Sequence, residues 1–129
     1  MARSATGRPT DLELKILKVL WDRGPSTVRE VMETLAQQRP AGYTTVLKML
    51  QIMTGKGLVR CDRSQRAHIY RSRDTRERTV TKLAGDLLDR VFDGSASQLV
   101  LHALEHRPTT PDELAEIRRL LDEYEGRRR

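Results

Sequence analysis

The chain has 129 residues, a third of them charged, with one Phe, one Trp and three Tyr. Its core must therefore come from Leu, Val, Ile and Met, which helices accommodate readily, and its length suits one ordinary domain or two very small ones sharing a core. The lone Cys61 excludes an intramolecular disulfide and a Cys-x-x-Cys zinc site, residues 1–9 lack the apolar centre of a signal peptide, and no run approaches the ~18 apolar residues that cross a bilayer, so a cytoplasmic protein without membrane contact is expected.

The net charge of +6 is unevenly spread: residues 1–73 hold 14 Lys and Arg against 6 Asp and Glu, whereas residues 74–129 hold 10 against 12. The basic part is suited to a polyanion, because each neutralised phosphate releases counterions whatever the sequence.

Four helix starts are legible as an oxygen-bearing cap followed three residues later by Glu: Thr10 with Glu13, Thr27 with Glu30, Asp74 with Glu77, and Thr110 with Glu113. Residues 1–8 read as a flexible tail. The first helix is predicted from Asp11 to about Arg23, with Leu14, Leu17, Leu20 and Trp21 at helical spacing before Gly24-Pro25. A second runs from Val28 to about Gln38 and buries Val31, Met32 and Leu35. After the break Pro40-Ala41-Gly42, a third runs from about Thr44 to Lys56, stopped by Gly57. The period then changes to two short strands, Leu58 to Cys61 and His68 to Arg71, around a polar tip from Asp62 to Arg66. Three short helices followed by a hairpin make a winged helix-turn-helix over residues 9–73.

From Asp74 the helical period returns, with Val80, Leu83, Leu87, Leu88, Val91 and Phe92 on one stripe up to Gly94. A shorter helix from Ser97 to Glu105 carries Leu99, Val100, Leu101 and Leu104. The last, after Pro111, sets Leu114, Ile117, Leu121 and Tyr124 in a coiled-coil-like seam ending at Gly126. Three helices with so few large side chains cannot easily cover their own apolar stripes, and a homodimer is the natural remedy. Residues 74–126 are thus expected to form a helical dimerisation domain through Val80, Leu83, Leu87, Val91, Phe92, Leu99, Leu101, Leu104, Leu114, Ile117, Leu121 and Tyr124, and residues 127–129 a basic tail. The overall class is mainly α.

At about 100° per residue the third helix gathers Val46, Met49, Leu50 and Met53 on a core face, and Thr44, Lys48, Gln51 and Gly55, with Thr45 beside them, on the opposite one. That second face is polar, small near its start and free of acid. A polar helix face is ordinarily mere solvated surface; its place between two helices and a hairpin makes it a reader of double-stranded DNA. Thr offers a hydroxyl to base or phosphate and a methyl to thymine, and Lys48 reaches guanine or phosphate. The DNA-binding residues expected are Tyr43, Thr44, Thr45, Lys48, Gln51, Arg60, Arg63 and Arg66, with Arg71 on the second strand also placed to reach backbone. Tyr70 reads as a core residue under the wing, and a single tyrosine makes no stacking ladder for single strands.

No nucleophile elbow, phosphate-cradling glycine loop or His-Glu metal motif occurs, so neither an enzyme nor a cofactor is expected. His102 and His106 lie one helical turn apart without a third ligand, and Cys61 and His68 could meet only across the hairpin, so no metal is expected either. A winged helix that binds protein partners rather than DNA is the competing class.

The succession Thr10-Asp11-Leu12-Glu13-Leu14, Leu20-Trp21, Thr44-Thr45-Val46 with Leu50, Lys56-Gly57-Leu58-Val59, a wing ending in Tyr70, and Val100-Leu101-His102-Ala103-Leu104-Glu105 resembles the penicillinase repressor family of the BlaI, MecI and copper-responsive type over nearly the whole chain. The resemblance implies a winged-helix repressor that binds a palindromic operator as a dimer interleaved through its C-terminal helices, with Thr44, Thr45 and Lys48 at operator bases or nearby backbone. It also implies a stress or antibiotic-type signal for release, and a membrane-bound sensor protease encoded nearby. Two departures stand out. Members that respond to β-lactams are cut between Asn and Phe in the fifth helix, where this chain has His102-Ala103, so cleavage-driven induction loses its sequence support. Copper-responsive members end in a cysteine-rich tail, where this chain has Arg127-Arg128-Arg129.

Overall fold

The structure, a computed structural model, describes residues 8–128. The tail expected over residues 1–8 lies outside them except for Arg8, as does the last residue of the basic tail. Six helices and one hairpin follow in the order α1 Asp11–Arg23, α2 Val28–Leu35, α3 Tyr43–Lys56, β1 Val59–Asp62, β2 Ile69–Ser72, α4 Arg76–Val91, α5 Ala96–His106 and α6 Pro111–Arg127. The chain divides into two compact units, one up to Ala84 and one from Gly85, so the division falls inside α4.

In the first unit, two capping boxes are complete. Thr10 Oγ1 accepts the Glu13 N–H at 3.2 Å while Glu13 Oε1 accepts the Thr10 N–H at 2.9 Å, and Thr27 with Glu30 repeats the arrangement at 3.1 and 2.9 Å. Each satisfies donors that a helix start leaves without intrahelical partners. Helix α2 stops at Leu35, three residues short of the expected end; the Arg39 N–H returns to the Leu35 carbonyl at 2.8 Å and turns the chain. Helix α3 starts one residue early, at Tyr43, because Gly42 takes the extended cap position. Gly57 closes it at φ 83°, a left-handed conformation that glycine adopts without strain. The Leu58 N–H then bonds the Met53 carbonyl at 2.9 Å, so Leu58 belongs to the helix closure and the strands shift one residue beyond their expected bounds.

Strands β1 and β2 are antiparallel, with Val59 opposite Ser72, Arg60 opposite Arg71, Cys61 opposite Tyr70 and Asp62 opposite Ile69. Tyr70 and Ser26 also exchange both backbone hydrogen bonds, at 2.9 and 2.8 Å, so the α1–α2 connection supplies a third, one-residue rung. This register sets Cys61 against Tyr70, and His68 lies beyond the ladder, so the hairpin does not pair Cys61 with His68.

The core consists of Ile16, Leu17, Val19 and Leu20 of α1, Val28, Val31 and Leu35 of α2, Val46, Leu50 and Met53 of α3, Val59 of β1 and Tyr70 of β2. Tyr70 is buried, as its place under the wing predicts. Trp21, Met32 and Met49 pack against this cluster only partly buried, and Leu14 is half-buried. Two long-range polar ties brace it. Lys56 Nζ, at the end of α3, lies 2.9 Å from both carboxylate oxygens of Glu13, which is only 1% exposed. The Trp21 indole N–H donates to Ser72 Oγ at 2.9 Å and to the Asp74 carbonyl at 3.2 Å, fixing the exit of the hairpin.

Helix α4 is capped by Thr75, whose Oγ1 accepts the Arg78 N–H at 3.1 Å, and not by the expected Asp74 with Glu77. Asp74 is engaged otherwise: its carbonyl takes Trp21 and Ser72, and its carboxylate faces Lys82 at 3.4 Å. In the second unit, α5 starts one residue earlier than expected because Ser95 Oγ accepts the Gln98 N–H at 3.2 Å, and Thr110 Oγ1 accepts the Glu113 N–H at 3.1 Å to start α6. Helix α6 runs through Gly126 to Arg127 instead of ending there. No residue of α4, α5 or α6 is buried.

Candidate nucleic-acid interface

Helix α3 presents its sides as its periodicity dictates. Val46, Leu50 and Met53 are buried, while Thr44, Thr45, Lys48 and Gln51 are exposed, and so is Gly55, where an added Cβ would meet nothing within 4 Å. No acidic residue lies in the first turn of α3, and Gly42 provides no side-chain cap. The first N–H groups of the helix are thus left to an outside acceptor, an arrangement that favours an anion such as phosphate.

Beside that face a cleft of about 630 Å³ separates α3 from the wing. Thr27, Val28 and Arg29 from the start of α2, Tyr43, Leu47 and Gln51 from α3, and Arg63, Arg66, Ala67, His68 and Tyr70 from the hairpin form its walls. It brings Tyr43, Gln51, Arg63 and Arg66 together; Thr44, Thr45 and Lys48 continue the same helix surface outside it. Arg60 sits elsewhere. Strand alternation places Arg60 and Arg71, opposite each other in the ladder, on the face of the hairpin away from Cys61 and Tyr70. At the wing tip Asp62 Oδ1 accepts the Ser64 N–H at 2.9 Å, shaping the turn and holding the carboxyl below its usual range. Arg29 escaped sequence reasoning: its guanidinium carbon stands 6.0 Å from the centre of the Tyr43 ring. Only the spacing between α2 and α3 across an irregular connection could have revealed it.

Burial is the main cause of the raised Tyr70 hydroxyl, pushed up to about 12 with Cys61 as its hydrogen-bonding neighbour, so the phenol stays protonated under the wing. Glu30 is held below the usual carboxylate range by the Thr27 N–H and by Arg23, whose guanidinium is 3.1 Å away.

The expected dimerisation residues lie on three helices. On α4, Val80, Leu87 and Val91 are exposed and Leu83 half-buried, with Phe92 just after the helix. On α5, Leu101 and Leu104 are exposed and Leu99 half-buried. On α6, Leu114, Leu121 and Tyr124 are exposed and Ile117 half-buried, while Arg119 bridges Glu116 and Glu123 along another side of the helix. His102 and His106 stack with ring centres 4.1 Å apart, and His106 Nδ1 is 3.0 Å from the His102 carbonyl. Among the described residues no group of three or more His, Cys, Asp or Glu could hold a metal ion, and no helix is long and apolar enough to cross a membrane.

The profile of the penicillinase repressor family matches residues 9–123. The transcriptional regulator BlaI of Mycobacterium tuberculosis is 38% identical over 118 residues, covering 90% of this chain and 84% of the relative. The penicillinase repressor of Bacillus licheniformis is 23% identical over 120 residues, covering 93% and 94%. Among solved structures, monomeric Bacillus licheniformis BlaI in complex with the blaP half-operator is 23% identical, covers 54% of this chain and 85% of that one, and superposes with a TM-score of 0.48. Relatives of this kind are regulators of transcription and not enzymes. By its profile match, its 38% identity to a regulator and its winged helix, the chain belongs to the penicillinase repressor family of DNA-binding transcriptional repressors.

Proposed function

We propose that the chain acts as a homodimer on a palindromic operator, that residues 9–73 are its DNA-binding domain and 74–126 its dimerisation domain, and that it releases DNA on a stress or antibiotic-type signal. The observation that carries the reading is the exposed, acid-free face of α3 with Thr44, Thr45, Lys48 and Gln51, flanked by a cleft that Arg63 and Arg66 line. In this reading α3 enters the major groove, the wing arginines take phosphates or the adjacent minor groove, and the dimer sets two half-sites about one helical turn apart. The dimer is supported by the absence of any buried residue on α4, α5 and α6, whose apolar side chains a second copy would cover. A sensor protease encoded nearby remains the partner that the family resemblance suggests for release.

Selection of genomic fragments with the purified protein, followed by footprinting, tests the reading. It is expected to return an inverted repeat protected symmetrically, with binding that weakens steeply with salt. Retention of no fragment at moderate salt would favour a winged helix that binds protein instead.

A further inference from the structure

Tyr43 is 46% exposed at the first position of α3, on the edge that faces the wing. Arg29, exposed on the first turn of α2, places its guanidinium 6.0 Å from the ring centre, within cation–π range, and both line the cleft that Arg63 and Arg66 line from the other side. No described carboxylate pairs with Arg29. The adjacent Glu30 is occupied by the Thr27 N–H and by Arg23. The charge therefore lies beside an aromatic ring and is not neutralised by a described carboxylate, and the open N–H groups of α3 begin near it.

We infer that Arg29 is a DNA-backbone contact, gripping a phosphate at the mouth of the cleft, and that Tyr43 serves as its positioning residue and not as a reader of bases. The inference rests on the DNA-binding reading above. It gives α2 a defined part: one guanidinium beside an aromatic ring and an uncapped helix start takes a phosphate, and this sets how α3 lies in the groove.

The test uses the full-length protein and a random-sequence duplex of about 30 base pairs, so that it needs no known operator. Affinity is measured by fluorescence anisotropy over a range of monovalent salt. Arg29→Ala should reduce the slope of log K against log salt by ~0.9 and lower affinity about fivefold at 0.15 M salt, the factor that slope implies on extrapolation from 1 M. Tyr43→Ala should lower affinity roughly two- to fivefold with Arg29 present and leave it unchanged in the Arg29→Ala background, whereas Tyr43→Phe should behave as wild type. An unchanged salt slope in Arg29→Ala, or an equal Tyr43→Ala loss in both backgrounds, overturns the inference while leaving the DNA-binding reading intact. Failure of the wild-type chain to bind any duplex overturns both.

Discussion

Replacing Lys56 by Met removes one partner of the most deeply set ion pair in the first unit. Glu13 is 1% exposed, and its carboxylate receives the Thr10 N–H and the Lys56 ammonium, the latter at 2.9 Å to both oxygens. In Lys56→Met the carboxylate stays buried with one neutral donor. Truncating one side of a buried pair costs ~3–5 kcal/mol, because the remaining charge is left uncompensated. The Lys56 side chain is itself 26% exposed, so water reaches part of the vacated space and the lower end applies, about 3 kcal/mol. At roughly 4 °C or more per kcal/mol for a domain of this size, the melting temperature should fall by about 12 °C. The assay is thermal and urea unfolding followed by circular dichroism at one fixed protein concentration, because association also contributes to apparent stability. The double variant Glu13→Gln with Lys56→Met carries no buried charge and keeps an acceptor for Thr10, and should recover to within about 1 kcal/mol of wild type. A Lys56→Met protein as stable as wild type, or a double variant no better than the single, would refute the reasoning.

Lys48→Ala should weaken operator binding about tenfold, within the ~1–3 kcal/mol of one specific base contact, and narrow the preference for operator over scrambled duplex; an unchanged preference in anisotropy titrations removes Lys48 from the reading face. Leu121→Glu sets a charge on an α6 residue that is 61% exposed in the single chain. If a second copy covers that residue, sedimentation velocity should report monomers at concentrations where wild type is dimeric, and wild-type behaviour would contradict the proposed interface. The raised Tyr70 hydroxyl gives a pH dependence of definite sign. An unfolded tyrosine ionises near 10 while the folded one keeps its proton to about 12, so stability is lost as pH rises from ~10 towards 12. Tyr70→Phe should flatten that part of a urea-midpoint profile, and an equally steep profile would show another group at work.

What the sequence revealed was local. The pairs Thr10 with Glu13 and Thr27 with Glu30 lie three residues apart and cap their helices as read, and the two faces of α3 follow from one period. Asp74 was the wrong cap because the residue beside it also carries an oxygen, and the contest was settled by Trp21, which is 53 residues away and engages the Asp74 carbonyl. The strand bounds slipped by one because Leu58 is used to close α3, a hydrogen bond that no alternation pattern encodes. Glu13 illustrates the limit well. It was legible as half of a capping box, but its ion pair with Lys56 joins positions 43 residues apart and depends on how α1 and α3 pack. The Ser26 rung on Tyr70 and the approach of Arg29 to the Tyr43 ring fall in the same class.

The distribution of burial bears on how such a repressor could let go of DNA. Among the described residues, every buried one lies between Glu13 and Tyr70, and none on α4, α5 or α6. The first unit therefore owns its core, whereas under the proposed dimer the apolar faces of the later helices depend on a partner for their burial. Loss of the second unit, by whatever signal, would then leave the reader folded and still able to meet a half-site. What it would remove is the linkage of two half-sites, whose effective concentration for flexibly tethered modules is of order millimolar and raises avidity by ~10²–10⁴. Under the proposed dimer, release would need no unfolding of α3 or the wing, only separation of the copies. A variant lacking residues 85–129 should accordingly protect single half-sites at a concentration ~10²-fold or more above that required by the full chain. Equal affinity of the two for the complete operator would show that dimerisation contributes nothing to binding.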